Sequence, residues 1–230
     1  MMGRCAAVCA AIASATFGWS ATAAERPIEI YHESPDRCTV AARYIGYVEQ
    51  TFRIGRWKDV DWDDGYRVEL AAWAHTISFE SIDPVIGAYA YYDLRERETS
   101  ASRLESESYG GGGEVAAVWM FYGRHQRGFR VGLMPWLRGG GGGHELEVRG
   151  QPGNIGRIVG LRDAMRLELA GGVDALMLIN RTVEIAIGAG YQYWTSGSMV
   201  VQTGASSSTR QDMEFHGDDL FLRASIGWRF

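Results

Sequence analysis

The chain has 230 residues, of which 46% are hydrophobic and 12% aromatic, and its formal net charge is −5 at pH 7. This acidic balance, together with the absence of any basic tract, argues against nucleic acid as a partner. Of the three cysteines, Cys5 and Cys9 lie near the N-terminus and only Cys38 lies further along. Because Cys5 and Cys9 lie in a segment that is predicted to be cleaved as a signal peptide, we expect no internal disulfide and no metal site of the cysteine type. No other metal site and no cofactor is predicted.

The N-terminus has the features of a targeting segment. Arg4 is followed by an apolar stretch over 6–19 and by small residues at Ala21 and Ala23. The stretch is shorter than the ~20 residues of a membrane-spanning helix, so residues 1–24 are predicted to be a cleaved signal peptide. Residues 25–41 contain two prolines and no sustained period, and are predicted to be a periplasmic leader of unassigned structure.

From residue 42 onward the dominant pattern is the two-residue period of β-strands. In 182–196, Ile185 and Ile187 share an apolar face, whereas Glu184 and Gly188 share a face of small or polar residues. Small and polar residues suit the narrow interior of a small barrel. After the signal, no apolar run approaches the length of a membrane helix.

The prediction is an all-β protein: a closed, up-and-down antiparallel transmembrane β-barrel over 42–230, with eight strands. The predicted strands are 42–57, 64–79, 85–97, 114–124, 127–138, 161–179, 182–196 and 213–230. Short and long connections alternate, which is typical of barrels in outer membranes. The glycine-rich stretches 110–113 and 139–143 are predicted to be flexible loop segments. A ten-stranded barrel and a soluble β-sandwich stay open as alternatives.

The last strand carries a motif. Apolar residues alternate with polar or small ones and the chain stops on phenylalanine; the apolar members are Leu220, Leu222, Ile226, Trp228 and Phe230. This resembles the C-terminal assembly signal of bacterial outer-membrane barrels, and the architecture is similar to that of the small OmpA- and OmpX-type barrels. The resemblance implies insertion by the barrel assembly machinery into the outer membrane, with lipid and lipopolysaccharide as surroundings.

The opposite face of the predicted strands carries six acids and six arginines. They are Glu49, Arg53, Arg67, Glu69, Asp93, Arg95, Arg130, Arg166, Glu168, Asp174, Glu184 and Arg223. Because the interior of an eight-stranded barrel is only wide enough for side chains to fill it, these charges are predicted to pair and plug the lumen. A narrow passive channel is the alternative, and would require the charges to line opposite walls.

Two hydrolase alternatives have weaker support. Asp61 and Asp63 in the first loop, with Glu214 and His216 at the start of the last strand, resemble the rim groups of omptin proteases. However, omptins have Asp where Glu214 stands, and strand parity directs Glu214 and His216 outward.

Barrels that modify lipid A use His with Ser. The candidates here are His75 with Ser78 and His125 with Ser108, which lack an orienting acid at suitable spacing; His75 is predicted to point inward. The favoured function is structural or surface-interacting, and a hydrolase at the barrel rim and a narrow passive channel stay open as alternatives.

Overall fold

A computed structural model describes residues 38–54, 60–75, 82–98, 102–122, 128–150, 159–180, 182–197, 201–202, 208–209 and 215–230. Within them, eight long strands form the wall of a barrel. They are β1 (Cys38–Ile54), β2 (Asp64–His75), β3 (Ile82–Glu98), β4 (Ser102–Tyr122), β5 (Phe129–Gly150), β6 (Val159–Ile179), β7 (Val183–Ser196) and β8 (Phe215–Arg229). Each pairs antiparallel with the next, and β8 pairs with β1 to close the sheet. The predicted closed, up-and-down barrel is confirmed.

The two ends of the barrel differ. At the terminal end β1 begins and β8 finishes, and Phe230 N donates a hydrogen bond to Cys38 O. At the opposite, distal end β4, β5 and β6 reach furthest, because they have 21, 22 and 21 residues whereas the other strands have 12 to 17. Two short ribbons lie in the distal connections: Val60–Asp61 pairs with β1, and Val201–Gln202 pairs with Ser208–Thr209.

The wall is apolar outside and charged inside. In β2, the outward-facing Val68 and Leu70 are 43% and 62% exposed, whereas Arg67 and Glu69, which alternate with them, are buried. The other strands repeat this alternation. Exposed apolar side chains around a whole barrel are unfavourable in water and suit hydrocarbon, so the chain has the arrangement of a transmembrane barrel. Among the described residues, no helix is long and apolar enough to cross a membrane.

A β-bulge in β1 turns two residues that were predicted to face the lumen toward the outside of the barrel. The register against β8 shifts between Tyr47 and Glu49, because Val48 and Glu49 both face outward. Beyond the shift Gln50 and Phe52 are buried, while Glu49 is exposed and Arg53 is partly exposed. Glu49 and Arg53 were predicted to face the lumen from strict alternation along the strand. Alternation fails past a bulge, because one extra residue reverses the two faces.

The strand boundaries also needed correction. Residues 38–41, assigned to the leader, belong to β1, while residues 1–37 lie outside the described part of the chain. The stretches 110–113 and 139–143 are not loops: they lie inside β4 and β5 and pair with each other, for example Gly112 with Gly140. Their composition predicted flexibility. In the structure, neighbouring groups occupy the space that Cβ atoms at several of these positions would take, so the strands need glycine there.

Candidate functional site

The lumen contains three apolar clusters in addition to its charges. The distal cluster consists of Phe52, Trp62, Leu104, Leu146, Ala164, Trp194 and Phe215. The terminal cluster consists of Ala41, Ala71, Trp73, Val85, Tyr89, Tyr91, Val118, Met134, Leu176 and Ala186. A smaller cluster of Ile45, Trp136, Ala170 and Phe221 lies between them. Most of the buried charges therefore lie between two apolar clusters toward the ends of the barrel, while Glu184 and Arg229 are buried beyond the terminal cluster.

Arg67 is at the centre of the charged layer. Its Nη1 and Nη2 donate to the two oxygens of Glu168 at 2.7 and 2.6 Å, and its Nε lies 2.7 Å from Glu69 Oε1. The guanidinium lies 3.6 Å from the centre of the Tyr91 ring, and Tyr89 Oη donates to Glu168 at 3.0 Å. Such bidentate geometry is what allows a fully buried ion pair to offset its desolvation.

From Glu69 the contacts continue toward the terminal end. Glu69 accepts from Arg138 at 2.7 Å and lies 3.6 Å from Arg43. Arg43 donates to both oxygens of Glu114, at 2.8 and 2.6 Å. Arg223 then joins Glu114 (3.3 Å) to Asp174 (2.6 Å), and Trp136 Nε1 also donates to Asp174.

From Glu168 the contacts continue toward the distal end. Arg166 lies 3.8 Å from Glu168 and 3.2 Å from Asp93. Asp93 pairs with Arg95 at 3.0 Å and accepts from Tyr47 at 2.7 Å, and Arg95 donates to Asp219 at 2.9 Å. One continuous network thus joins six arginines to six carboxylates. They are Arg43, Arg67, Arg95, Arg138, Arg166, Arg223, Glu69, Asp93, Glu114, Glu168, Asp174 and Asp219.

Eight of these twelve were among the predicted lumen residues, and four were missed. Arg43, Glu114 and Arg138 lie at or next to the ends of predicted strands, where the real strands continue. Asp219 lies on the inward face of β8 with Arg223, and strand parity alone would have identified it. Of the other predicted members, Glu184 is buried near the start of β7, and Arg130 is partly exposed.

A second polar group lies beside the distal cluster. His144 is buried, with Ser106 Oγ 2.9 Å from its Nε2 and Ser196 Oγ 3.0 Å from its Nδ1. Its ring meets the Trp194 ring edge-on at 5.7 Å. Serine and imidazole in contact are a combination used in acyl transfer. Ser106, His144 and Ser196 are at most 2% exposed and form a buried hydrogen-bond chain, and among the described residues no carboxylate is hydrogen-bonded to His144.

The predicted serine and histidine pairs do not form this group. His75 is buried, as its parity indicated, while Ser78 and His125 lie outside the described residues. Ser108 is buried and accepts a hydrogen bond from Arg166 Nη1 at 3.1 Å.

The predicted rim acids Asp61 and Asp63 make contacts within the connection between β1 and β2. Asp63 Oδ2 accepts from Glu98 N at 2.8 Å, Asp61 Oδ1 lies 3.5 Å from Thr51 Oγ1, and the Asp61 carbonyl accepts from Arg97. His216 faces away from the lumen, between its buried neighbours Phe215 and Gly217, and Glu214 is outside the described residues. Among the described residues no group of three His, Cys, Asp or Glu is arranged to hold a metal ion.

No protein-family model matches the sequence, and a search of curated proteins finds no match. Solved structures give matches at low identity. Neisserial surface protein A is 13% identical, with 82% of this chain and 96% of that chain covered and a TM-score of 0.38. Ail of Yersinia pestis is 14% identical (84% and 98% covered, TM-score 0.39), and OprG of Pseudomonas aeruginosa is 11% identical (86% and 97%, TM-score 0.40).

Proposed function

We propose that this closed eight-stranded barrel resides in a bacterial outer membrane as a non-conducting protein with a structural or surface-interaction role. The observation that carries the proposal is the filled lumen. Six arginines and six carboxylates form one continuous network, and buried apolar clusters lie on both sides of it along the lumen. An ion crossing the lumen would have to displace buried, paired charges, which is costly in a low-dielectric interior.

The exterior supports the membrane setting. The apolar residues of the C-terminal motif face outward, with Leu222, Ile226 and Trp228 between 54% and 60% exposed, whereas Phe215 and Phe221 of the same strand face the lumen. At the distal end the outer face becomes acidic, because Glu105 and Glu107 of β4 pair with Glu147 and Glu145 of β5. We propose that the apolar band contacts lipid and that the distal strands project into the lipopolysaccharide layer. Insertion would use the barrel assembly machinery, through the terminal strand.

The proposal is tested by refolding the purified chain into lipid vesicles or detergent. A closed membrane barrel migrates differently on a gel before and after boiling, since the unboiled form keeps its structure. The same preparation is then fused to planar bilayers for single-channel recording. A heat-modifiable band without conductance is expected. Stable conductance would contradict the plugged lumen, and failure to enter lipid would contradict the membrane setting.

A further inference from the structure

The outer wall of the barrel has an open groove of about 260 Å³ across strands β3 to β6. It lies over the backbone at Gly113 and Gly139, which pair with each other in β4 and β5. Four outward-facing apolar side chains, between 48% and 58% exposed, border it: Ile86, Val115, Leu137 and Leu169. The groove is therefore part of the apolar band and opens to the surroundings of the barrel.

The two glycines of the groove are not explained by packing within the chain. A Cβ on Gly113 would meet nothing closer than 3.9 Å, and a Cβ on Gly139 nothing closer than 3.7 Å, which is ordinary contact. Alanine would fit at both positions and would stabilise a strand better than glycine does. The inward-facing Gly112 and Gly140 differ, because a Cβ on either would collide with Tyr89 Oη. Gly113 and Gly139 therefore leave the groove open to a group from outside the chain.

The position of the groove identifies its occupant. Hydrocarbon surrounds the apolar band of a transmembrane barrel, so the groove continues a surface that contacts lipid chains. A groove of this volume in a convex wall admits one slender chain, whereas a stable contact with a second barrel needs more than about 1,000 Å². An acyl chain is the group that fits.

Two glutamates mark the level of the lipid head group. Glu107 and Glu145 pair across β4 and β5, and each is six residues from the groove glycine of its own strand. Six residues span about 20 Å along a strand, or about 14 Å in height at a tilt of about 45°. This height matches half of the ~30 Å hydrocarbon core, which is the depth of one leaflet. Tyr109, which is 52% exposed, lies two residues from Glu107 toward the groove, as aromatic residues do at membrane interfaces.

The charge at that level selects the head group. Glu107 and Glu145 lie side by side on the outer face, and Glu105 follows on the same face of β4. These carboxylates repel an anionic head group and attract an ammonium group. We propose that the groove holds one acyl chain of a phospholipid whose head group carries an amine, such as phosphatidylethanolamine. Its ammonium group lies beside Glu107 and Glu145, and the inference rests on the membrane setting proposed above.

The test is native mass spectrometry of the full chain, refolded in detergent and titrated with lipids of equal chain length. Dipalmitoyl phosphatidylethanolamine should be retained saturably, one molecule per barrel, and dipalmitoyl phosphatidylglycerol more weakly. Gly139→Leu fills the groove and should weaken retention at least about tenfold, the equivalent of about two buried methylene groups. Gly113→Leu should have the same effect from the neighbouring strand.

Two further variants separate the chain from the head group. Gly46→Leu is the matched control for the groove: Gly46 lies on β1 outside the groove, and its Cβ would also meet nothing closer than 3.7 Å. It should retain the lipid as the wild-type chain does. The double variant Glu107→Gln, Glu145→Gln should still retain a lipid but lose the preference for phosphatidylethanolamine over phosphatidylglycerol.

Three results would overturn the proposal. Equal retention by the wild-type chain and by the two groove-filling variants would mean that the groove holds no chain. Stronger retention of phosphatidylglycerol or of lipopolysaccharide would contradict the amine-bearing head group. A dimer that Gly139→Leu dissociates would assign the groove to a second copy of the chain. Each variant is first checked for its heat-modifiable band, so loss of the membrane barrel, which contradicts the proposed function, is distinguished from loss of the lipid.

Discussion

The hydroxyl of Tyr89 lies where Gly140 has no side chain. A Cβ built on Gly140 would be 2.5 Å from Tyr89 Oη, and one on Gly112 would be 2.7 Å from the same oxygen. That hydroxyl donates to Glu168, which in turn holds Arg67. Gly112 and Gly140 of the paired strands β4 and β5 therefore make room for the Tyr89 side chain, which contacts the charged network through Glu168.

The first prediction is that Gly140→Ala destabilises the barrel by about 1–3 kcal/mol, the usual cost of overpacking. The new methyl would displace Tyr89 from Glu168. The measurement is urea unfolding from lipid vesicles, followed by tryptophan fluorescence. Gly139→Ala is the matched control, because its Cβ would point outward and meet nothing closer than 3.7 Å. Equal effects of the two substitutions would contradict the steric explanation.

The glycine stretches also show why the sequence was only partly informative. The period of two predicted the strands, their number and the charged interior, because alternation follows directly from strand geometry. Gly110 and Gly142 carry no side chain and so contribute nothing to that period, and their composition suggested a loop. Glu49 was misplaced for a different reason, since the bulge between Tyr47 and Glu49 leaves no mark in a pattern of residue types. The ion-pair network around Arg67 depends on contacts between distant strands, which no single strand reveals.

The second prediction concerns the central ion pair. Arg67→Ala should cost about 3–5 kcal/mol of unfolding free energy, since it leaves Glu168 buried without its bidentate partner. Arg103→Ala is the control: Arg103 contacts Glu96 at 2.8 Å, but both side chains are more than 40% exposed. Exposed pairs of this kind contribute at most about 1 kcal/mol. The same vesicle unfolding assay compares the two, and a small effect at Arg67 would contradict a tightly paired lumen.

The third prediction separates the ion pairs from the apolar clusters as barriers to conduction. The double variant Arg43→Ser, Glu114→Ser removes two long side chains from the charged layer. It changes no residue of the terminal cluster, although it removes the guanidinium that lies 4.8 Å from the Trp73 ring centre. Val118, Met134 and Leu176 are at most 2% exposed in that cluster. The variant should be less stable and still give no channel events in a planar bilayer. Channel events in a variant that keeps its heat-modifiable band would mean that the charged layer alone closes the lumen.

The fourth prediction tests the orientation of the wall in lipid. Leu222 is the central residue of β8, faces outward and is 57% exposed. Leu222→Arg should therefore cost about 2–4 kcal/mol, the value for a cation facing hydrocarbon at the bilayer midplane. Glu145→Arg is the control at the distal end, where its cross-strand partner is Glu107. Near the interface the cost falls to about 0–1 kcal/mol, and relief of the repulsion between the two glutamates lowers it further.

The comparison is made in vesicles and again in detergent micelles, whose apolar interior adapts more readily to a charge. In vesicles the Leu222 variant should unfold at lower urea concentration than the Glu145 variant, and the gap should narrow in detergent. If both arginine substitutions lower the unfolding free energy equally in vesicles, the apolar band does not face hydrocarbon. The exposed leucines, isoleucines and aromatics of the wall would then need a protein partner to cover them, because so wide an apolar surface is unfavourable in water.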